Sequence, residues 1–229
     1  MTISFPRLAA RIIPMASLAT LVVLSGCGSG EPVAQAPVTT STTLSATTLR
    51  AALLNLADVP GSKVDTEANE GGEPDYGACF KDHPLGANSH PTELGGPDLE
   101  VTEQKVERGY SSTVRQGAPE EVRAFVNAFG LPGAATCLND TTTTFFKANS
   151  IPATGVTGTA KPLAIADGGA LYTSTGTLGS GRSKERFETH TVVFAKRGML
   201  VSIDAGSFGG PLAPDQTVEL ARRVAARLP

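Results

Sequence analysis

The apolar residues of this chain recur at helical spacing in three segments. In the first segment, residues 49–56, apolar side chains stand at positions i, i+3, i+4 and i+7, as on one face of an α-helix. Ser45 or Thr47 is suited to cap the start of this helix, and Pro60 with Gly61 stops it. We therefore predict a first helix that lies against the core.

The other two helices carry clearer boundary signals. Pro119 stands at a first helical position, Glu120 and Glu121 follow in the turn where negative charge is favourable, and Gly130 closes the segment. Residues 214–228 place apolar side chains on one arc, and acidic residues and arginines on the other. These patterns predict a second helix over 119–129 and a last helix over 214–228.

Between the second and the last helix the apolar residues follow a period of two, which is typical of strands. Turn signals stand at residues 167–169 and 196–198, and strands joined by such short turns are antiparallel. The predicted strands cover residues 156–165, 170–178, 187–194 and 199–203, and one long or two short strands precede them within residues 99–115.

Residues 134–147 fit either a helix or a strand. Their threonine run, 141–144, favours a strand, whereas their position after a short Leu-Pro-Gly turn suits another helix. With either outcome, the order of the elements predicts an α+β domain in which an antiparallel sheet of about five strands packs with helices.

The first 26 residues have the profile of an export signal. Arg7 and Arg11 precede an apolar stretch over residues 12–24, which is shorter than the roughly 20 residues that a membrane-spanning helix needs. The stretch ends in the letters LSGC, which close on Cys27 and resemble the lipobox of bacterial lipoproteins. This resemblance implies that Cys27 is lipidated and that residues 1–26 are removed. The alternative is an ordinary secretory signal that ends in cysteine.

Lipidation at Cys27 would anchor the protein to the outer, extracytoplasmic face of the cell membrane, since acyl chains contribute about 0.8 kcal/mol per buried methylene. Loss of residues 1–26 leaves 17 basic and 22 acidic residues, a net charge of −5. This balance argues against nucleic acid as a partner. Residues 28–45 are rich in Thr, Pro, Ala and Gly, and with Cys27 they predict a flexible tether before a domain over residues 46–229.

The domain retains two cysteines, Cys79 and Cys137. An even pair in an oxidising compartment predicts one structural disulfide. The competing interpretation, a catalytic thiol, finds no recognisable cysteine-enzyme setting around either residue.

The lipobox, the tether and the opening of the domain at residues 49–61 together resemble actinobacterial surface lipoproteins. The soluble domain of these lipoproteins is similar to the extracellular sensor domain of mycobacterial receptor serine/threonine kinases. The resemblance implies a sensor-like domain that binds a ligand or an envelope protein. This chain departs from the kinases because it cannot form their common second disulfide, and we expect no kinase activity of its own.

The sequence carries no recognised catalytic motif, and we expect neither catalysis nor a cofactor. Residues 65–75 alternate oxygen ligands as calcium loops do, but Glu70 stands where an EF-hand needs glycine, so we interpret them as a solvated acidic loop. His83 and His90 would form a metal site only with a third ligand, and loop histidines without a metal are the simpler interpretation. The possible third ligands are Asp82, Glu93 and Asp98.

His190 stands in a predicted strand two residues after Glu188, and we predict it at the surface or at a rim. Carboxylate catalysis would need Glu188 and Asp204 to converge, but counting outward from the turn at residues 197–198 puts them several positions apart in the hairpin.

Three functions remain after this survey. The favoured one is a sensor or interaction domain with a groove lined by threonines and aliphatic residues of the predicted strands 170–178 and 187–194. A carrier of lipid or another apolar molecule would need a large apolar cavity, which threonine-rich strands and an aromatic content of 5% do not favour. The third is a cell-envelope hydrolase that uses carboxylates.

We predict that Cys27→Ala abolishes lipidation and moves the protein out of the detergent phase in a phase-partitioning assay, since no other segment is apolar enough to hold it at the membrane. A variant that partitions with membranes as the wild type does would contradict the lipobox.

Overall fold

Among the described residues, eight strands form one antiparallel sheet. The structure is a computed structural model that describes residues 44–66, 74–83, 85, 93–181 and 184–229. The strand order is β1-β3-β4-β8-β7-β6-β5, and β2 pairs with β4 beside β3. The strands are β1 Lys63–Val64, β2 Leu94–Gly95, β3 Leu99–Glu103, β4 Val106–Gln116, β5 Ala153–Leu163, β6 Gly169–Leu178, β7 Glu185–Lys196 and β8 Met199–Phe208.

Helices cover both faces of this sheet. On one face, α2 packs on β6, β7 and β8, and α3 packs on β5 and on a short 3₁₀ helix. On the other face, α4 packs on β7 and β8 and contacts α1. The helices are α1 Ala46–Ala52, α2 Pro119–Phe129, α3 Ala134–Ala148 and α4 Pro214–Arg227, and the 3₁₀ helix is Tyr76–Phe80. We call the first face the α2 face and the second the α4 face.

The alternation of each strand decides which side chain meets which helix layer. In β7, Val193 points to the α2 face and belongs to the core with Phe125 and Phe129, whereas His190 contacts Thr217 of α4. Residues Ser45–Pro229 pack into one compact unit around these layers.

The predicted α+β class, the antiparallel sheet and the helices over residues 119–129 and 214–228 are confirmed. Residues 134–147, which fitted either type of element, lie in α3. Ser45 caps α1, and its hydroxyl oxygen accepts a hydrogen bond from the Thr48 amide at 3.1 Å. The turn at residues 196–198 joins β7 to β8, with Arg197 and Gly198 at positive φ as a tight hairpin requires.

The strand count of about five was too low, because the sheet has eight strands. The short strands β1 and β2 have only two residues each, too few to show an alternation in the sequence. The chain also reverses at Gln104 and Lys105, both at positive φ, so that β3 and β4 form a hairpin within residues 99–115. Neither residue is a usual turn signal for this conformation.

The first helix is shorter than its apolar spacing predicted. It ends at Ala52, after which Leu53 and Leu54 are buried in an irregular segment and Leu56 is 49% exposed. A hydrogen bond from the Leu54 amide to the Ser112 hydroxyl, at 3.0 Å, ties this segment to β4. Tertiary contacts therefore override the helical pattern after Ala52.

Arg227, at the end of α4, also holds the segment that follows α1. Its guanidinium donates to both carboxylate oxygens of Asp58, at 2.7 and 2.9 Å, and to the carbonyls of Ala52 and Leu53. Burial acts to raise the pKa of Asp58, but the hydrogen bonds from Arg227 and the Asn55 amide, together with the positive charge of Arg227, hold it below its usual value. The two ends of the domain are thus joined by a bidentate ion pair.

The predicted disulfide between Cys79 and Cys137 is present, with the two Cα atoms 5.8 Å apart. It links the 3₁₀ helix to α3. None of the described helices combines the length and the hydrophobicity that a membrane-spanning segment requires. Cys27, the export signal and almost all of the tether lie outside the described residues.

We predict that Cys79→Ser lowers the free energy of unfolding by roughly 4 kcal/mol, because the bridge closes a loop with a sequence separation of 58 residues and restricts the unfolded chain. Denaturant unfolding measures this loss. Cys137→Ser should give the same loss, and the double variant should be no less stable than either single one. Free thiols at both positions in the exported protein would contradict the bridge.

Candidate functional site

A groove of about 500 Å³ lies on the α2 face of the sheet. Its floor consists of side chains from β4, β8 and β7, beside the part of this face that α2 covers. Helix α2 and the 3₁₀ helix border it on one side, and the segments around β1 and β3 border it on the other. This volume is in the range of small-molecule sites.

Asp204 stands at the centre of the floor. The register of the sheet places it between Ser111 of β4 and Thr191 of β7. The hydroxyl of Thr191 donates to one carboxylate oxygen of Asp204 and the hydroxyl of Ser202 donates to the other, both at 2.6 Å. Short bonds to both oxygens fix the orientation of the carboxyl group.

Burial raises the pKa of Asp204 above its usual value. The two hydroxyl donors act in the opposite direction, and the negative charge of Glu93 adds to the rise. The net direction is upward, so the floor holds a carboxyl group whose ionised form is disfavoured. Such groups are often found where a protein binds or transforms a ligand.

Next to Asp204 the floor is bare backbone. The adjacent ladder row consists of Gly109, Gly206 and Thr189, which stand opposite one another in β4, β8 and β7. A Cβ atom built on either glycine would meet no atom within 4 Å. The Thr189 hydroxyl oxygen is buried and has no hydrogen-bond partner among the described residues. The row therefore offers open space beside an unused hydroxyl group.

Aromatic side chains form one wall of the groove. Phe125 and Phe129 come from α2, and Tyr76 comes from the 3₁₀ helix that the disulfide holds against α3. Phe80 packs edge-on against Phe125 with ring centroids 5.1 Å apart, and Tyr76 packs edge-on against Tyr172 at 5.6 Å. The wall is thus set by core packing.

Charged residues form the rim, and most of them are acidic. The carboxylate residues in the described lining are Asp65, Asp75, Glu93, Asp98, Glu100 and Asp204. Arg115 is the one arginine or lysine in this lining, and its Nε atom lies 2.7 Å from a carboxylate oxygen of Glu93. The charge of Arg115 is therefore already compensated, and the groove is negative overall.

His190 does not lie at the surface, as its sequence position had suggested. It is fully buried on the α4 face, where its Nε2 atom lies 3.1 Å from Glu188 and its Nδ1 atom lies 3.3 Å from the Thr217 hydroxyl. Burial lowers the pKa of His190, and Glu188 only partly compensates for this. The prediction failed because it assumed a solvent-exposed strand face, whereas α4 covers this one.

Glu188 and Asp204 do not converge. In the hairpin, Glu188 stands opposite Ser207 and Asp204 stands opposite Thr191, three positions away, and their side chains point to opposite faces of the sheet. The separation expected from the sequence is confirmed. A catalytic pair of these two carboxylates is therefore incompatible with the register.

The histidine loop is only partly described, since His90 lies outside the described residues. The ring of His83 packs edge-on against Phe80 and Phe125, at 6.4 Å in both cases. Glu93 pairs with Arg115, and Asp98 lines the groove. Within the described ranges no three His, Cys, Asp or Glu residues form a group that could hold a metal ion.

The predicted lining of the groove was wrong in two respects. Strand β6, expected to contribute, supplies no lining residue, because α2 packs over it. The lining is also charged and aromatic in addition to its threonines. Ser202, Asp204 and Gly206 alternate within a strand where apolar residues would be expected on a covered face, and this pattern was the available signal.

No protein-family model matches the chain. Nor does any curated protein match it significantly. Among solved structures it is similar to LpqN of Mycobacterium tuberculosis, whose crystal structure is described as that of a protein involved in cell envelope biogenesis. The identity is 12% and the TM-score 0.26, over 61% of this chain and 75% of LpqN. A likeness this weak carries no information about the groove.

We predict that Asp204→Asn stabilises the protein at neutral pH. Because the folded state raises the pKa of Asp204 above the unfolded value of about 3.8, the folded state binds the proton more tightly, and the wild type loses stability as the pH rises from there to the folded pKa. The amide carries no such penalty. Denaturant unfolding of both proteins between pH 4 and 8 should show a difference that grows with pH and then levels off. A difference that does not change with pH would refute the raised pKa.

Proposed function

We propose that this protein is a lipid-anchored lipoprotein of the extracytoplasmic membrane face that binds a small ligand in the groove on the α2 face. One set of observations supports the location and another supports the binding site. The lipobox at Cys27 and the export signal support the location. The open glycine row beside the buried Thr189 hydroxyl supports the binding site.

The observation that carries the proposal is the open row of Gly109 and Gly206. Glycine in the interior of a strand weakens the sheet, and such a position often marks a close approach of another molecule to the backbone. Here two glycines stand side by side in β4 and β8 and face open space. A Cβ atom would fit at both positions, so the absence of a side chain there is not required by packing.

The lining supports a ligand-binding role over the two alternatives. An apolar cargo is disfavoured because six carboxylate residues line the described part of the groove. Hydrolysis by Glu188 and Asp204 as a pair is disfavoured because Glu188 points to the α4 face. A groove of about 500 Å³ also suits a small molecule better than a folded partner, whose interface would be larger and flatter.

The test blocks the groove without disturbing the fold. Because a Cβ atom at position 206 meets no atom within 4 Å, we expect Gly206→Leu to fold with a melting temperature close to that of the wild type. A ligand identified by native mass spectrometry of the full chain purified from its host, or by a thermal-shift screen, should bind this variant at least about tenfold more weakly, a loss of about 1.4 kcal/mol.

Gly95→Leu is the matched control. Gly95 lies in the exposed strand β2, a Cβ atom there also meets nothing within 4 Å, and the residue does not line the groove. Its substitution should leave binding unchanged. If Gly206→Leu binds the ligand as tightly as Gly95→Leu does, the groove is not the binding site and the proposal fails.

A further inference from the structure

The net charge of the groove limits which class of ligand it can bind. This step rests on the proposed function, because it asks what the groove binds. Six carboxylate residues line the described part of the groove, and Arg115, the one arginine or lysine there, is paired with Glu93. Lys63 lies 3.5 Å from Glu100 but is largely exposed, so this pair contributes little. An anionic ligand would meet net repulsion.

The aromatic wall adds a second, independent feature. Tyr76, which is half-buried, lines the same groove whose floor carries Asp204, whereas Phe125 and Phe129 line it with only 5% and 1% of their surface exposed. A positive charge is attracted both to the face of an aromatic ring and to a carboxylate, and sites for organic cations combine the two. The apolar part of such a ligand would pack on the rings and on the open glycine row.

The alternatives to an organic cation fit less well. A bare metal ion would need several carboxylate or histidine ligands converging on one point, and the described residues hold no such group. A neutral polar ligand would use the hydroxyl groups but would not match the excess of acidic over basic residues in the described lining.

We propose that the ligand of the groove is an organic cation, an ammonium group attached to an apolar part, with the ammonium near Asp204 and the apolar part against Tyr76 and the open row of Gly109 and Gly206. The Thr189 hydroxyl, which has no hydrogen-bond partner among the described residues, adds a hydrogen-bonding group beside the glycine row. The groove would thus contact both the charged part and the apolar part of such a ligand.

Binding of a cation would be linked to the ionisation of Asp204. A positive charge beside the carboxyl group favours its ionised form and lowers its pKa, so that cation binding releases a proton and tightens as the pH rises. The neighbouring hydroxyls of Ser202 and Thr191 do not titrate in this range. The other titratable or charged residues of the lining are Asp65, Asp75, Tyr76, Glu93, Asp98, Glu100, Tyr110, Arg115 and His190. The side chains of Tyr110 and His190 point to the α4 face.

The experiment compares three probes of similar size and different charge on the full chain, purified in mild detergent. Benzyltrimethylammonium is a cation that cannot itself release a proton, benzyl alcohol is neutral and benzoate is an anion. Isothermal titration calorimetry at neutral pH should give at least about tenfold tighter binding for the cation than for the alcohol, and no measurable binding for benzoate.

Two variants connect this preference to Asp204. Asp204→Asn should reduce the affinity for the cation to about that for benzyl alcohol, and the affinity for the alcohol should not change. The increase of cation affinity with pH should disappear in the same variant. Glu219→Gln removes an exposed carboxylate on α4, outside the groove, and should change neither quantity.

The outcomes separate the two proposals. If benzyl alcohol binds as tightly as the cation and Gly206→Leu abolishes both, the groove is a binding site but the cation proposal is wrong. If none of the three probes binds at millimolar concentration, the cation proposal is also wrong. The groove itself is refuted only when Gly206→Leu leaves the binding of an identified ligand intact.

Discussion

Each inner strand of the central sheet packs against helices on both of its faces, and the rest of the structure depends on this constraint. Because side chains alternate along a strand, β7 presents Val193 to α2 and His190 to α4. A shift of one residue in register would place the Glu188–His190 pair against Phe125 and Phe129. The tight hairpin at Arg197 and Gly198 fixes the register and so keeps the two sets apart.

The groove follows from a difference in length between the layers. Helix α2 has 11 residues and spans about 16 Å, whereas β7 has 12 residues and spans about 40 Å. One helix of this length cannot cover the strands it crosses from end to end. Helix α3 lies over β5 instead, and the disulfide draws the 3₁₀ helix towards α3, so that part of β4 and β8 stays uncovered.

Local signals predicted the elements better than their assembly. Pro119, Glu120 and Gly130 mark a helix by their own chemistry, and α2 has the predicted bounds. The burial of His190 depends on α4, and the sequence around His190 does not indicate where α4 packs. Tyr76 and Arg115 join the groove through contacts between segments far apart in the chain, and their own neighbourhoods in the sequence give no sign of it. Asp204 was recognisable as a polar residue in a core strand, but its partners were not.

The stability of the sheet does not explain which residues form the floor of the groove. Glycine in the interior of a strand lowers the stability of a sheet, yet Gly109 and Gly206 stand opposite each other in the row next to Asp204. The helix-covered part of the same face places Val193 and Leu200 in the core with Phe125. The same strand β8 places Val201 and Ile203 on its other face, where α4 covers them completely. Residues that lower stability on one face of β8, while those on the other face raise it, are expected where the first face binds a ligand, as proposed here.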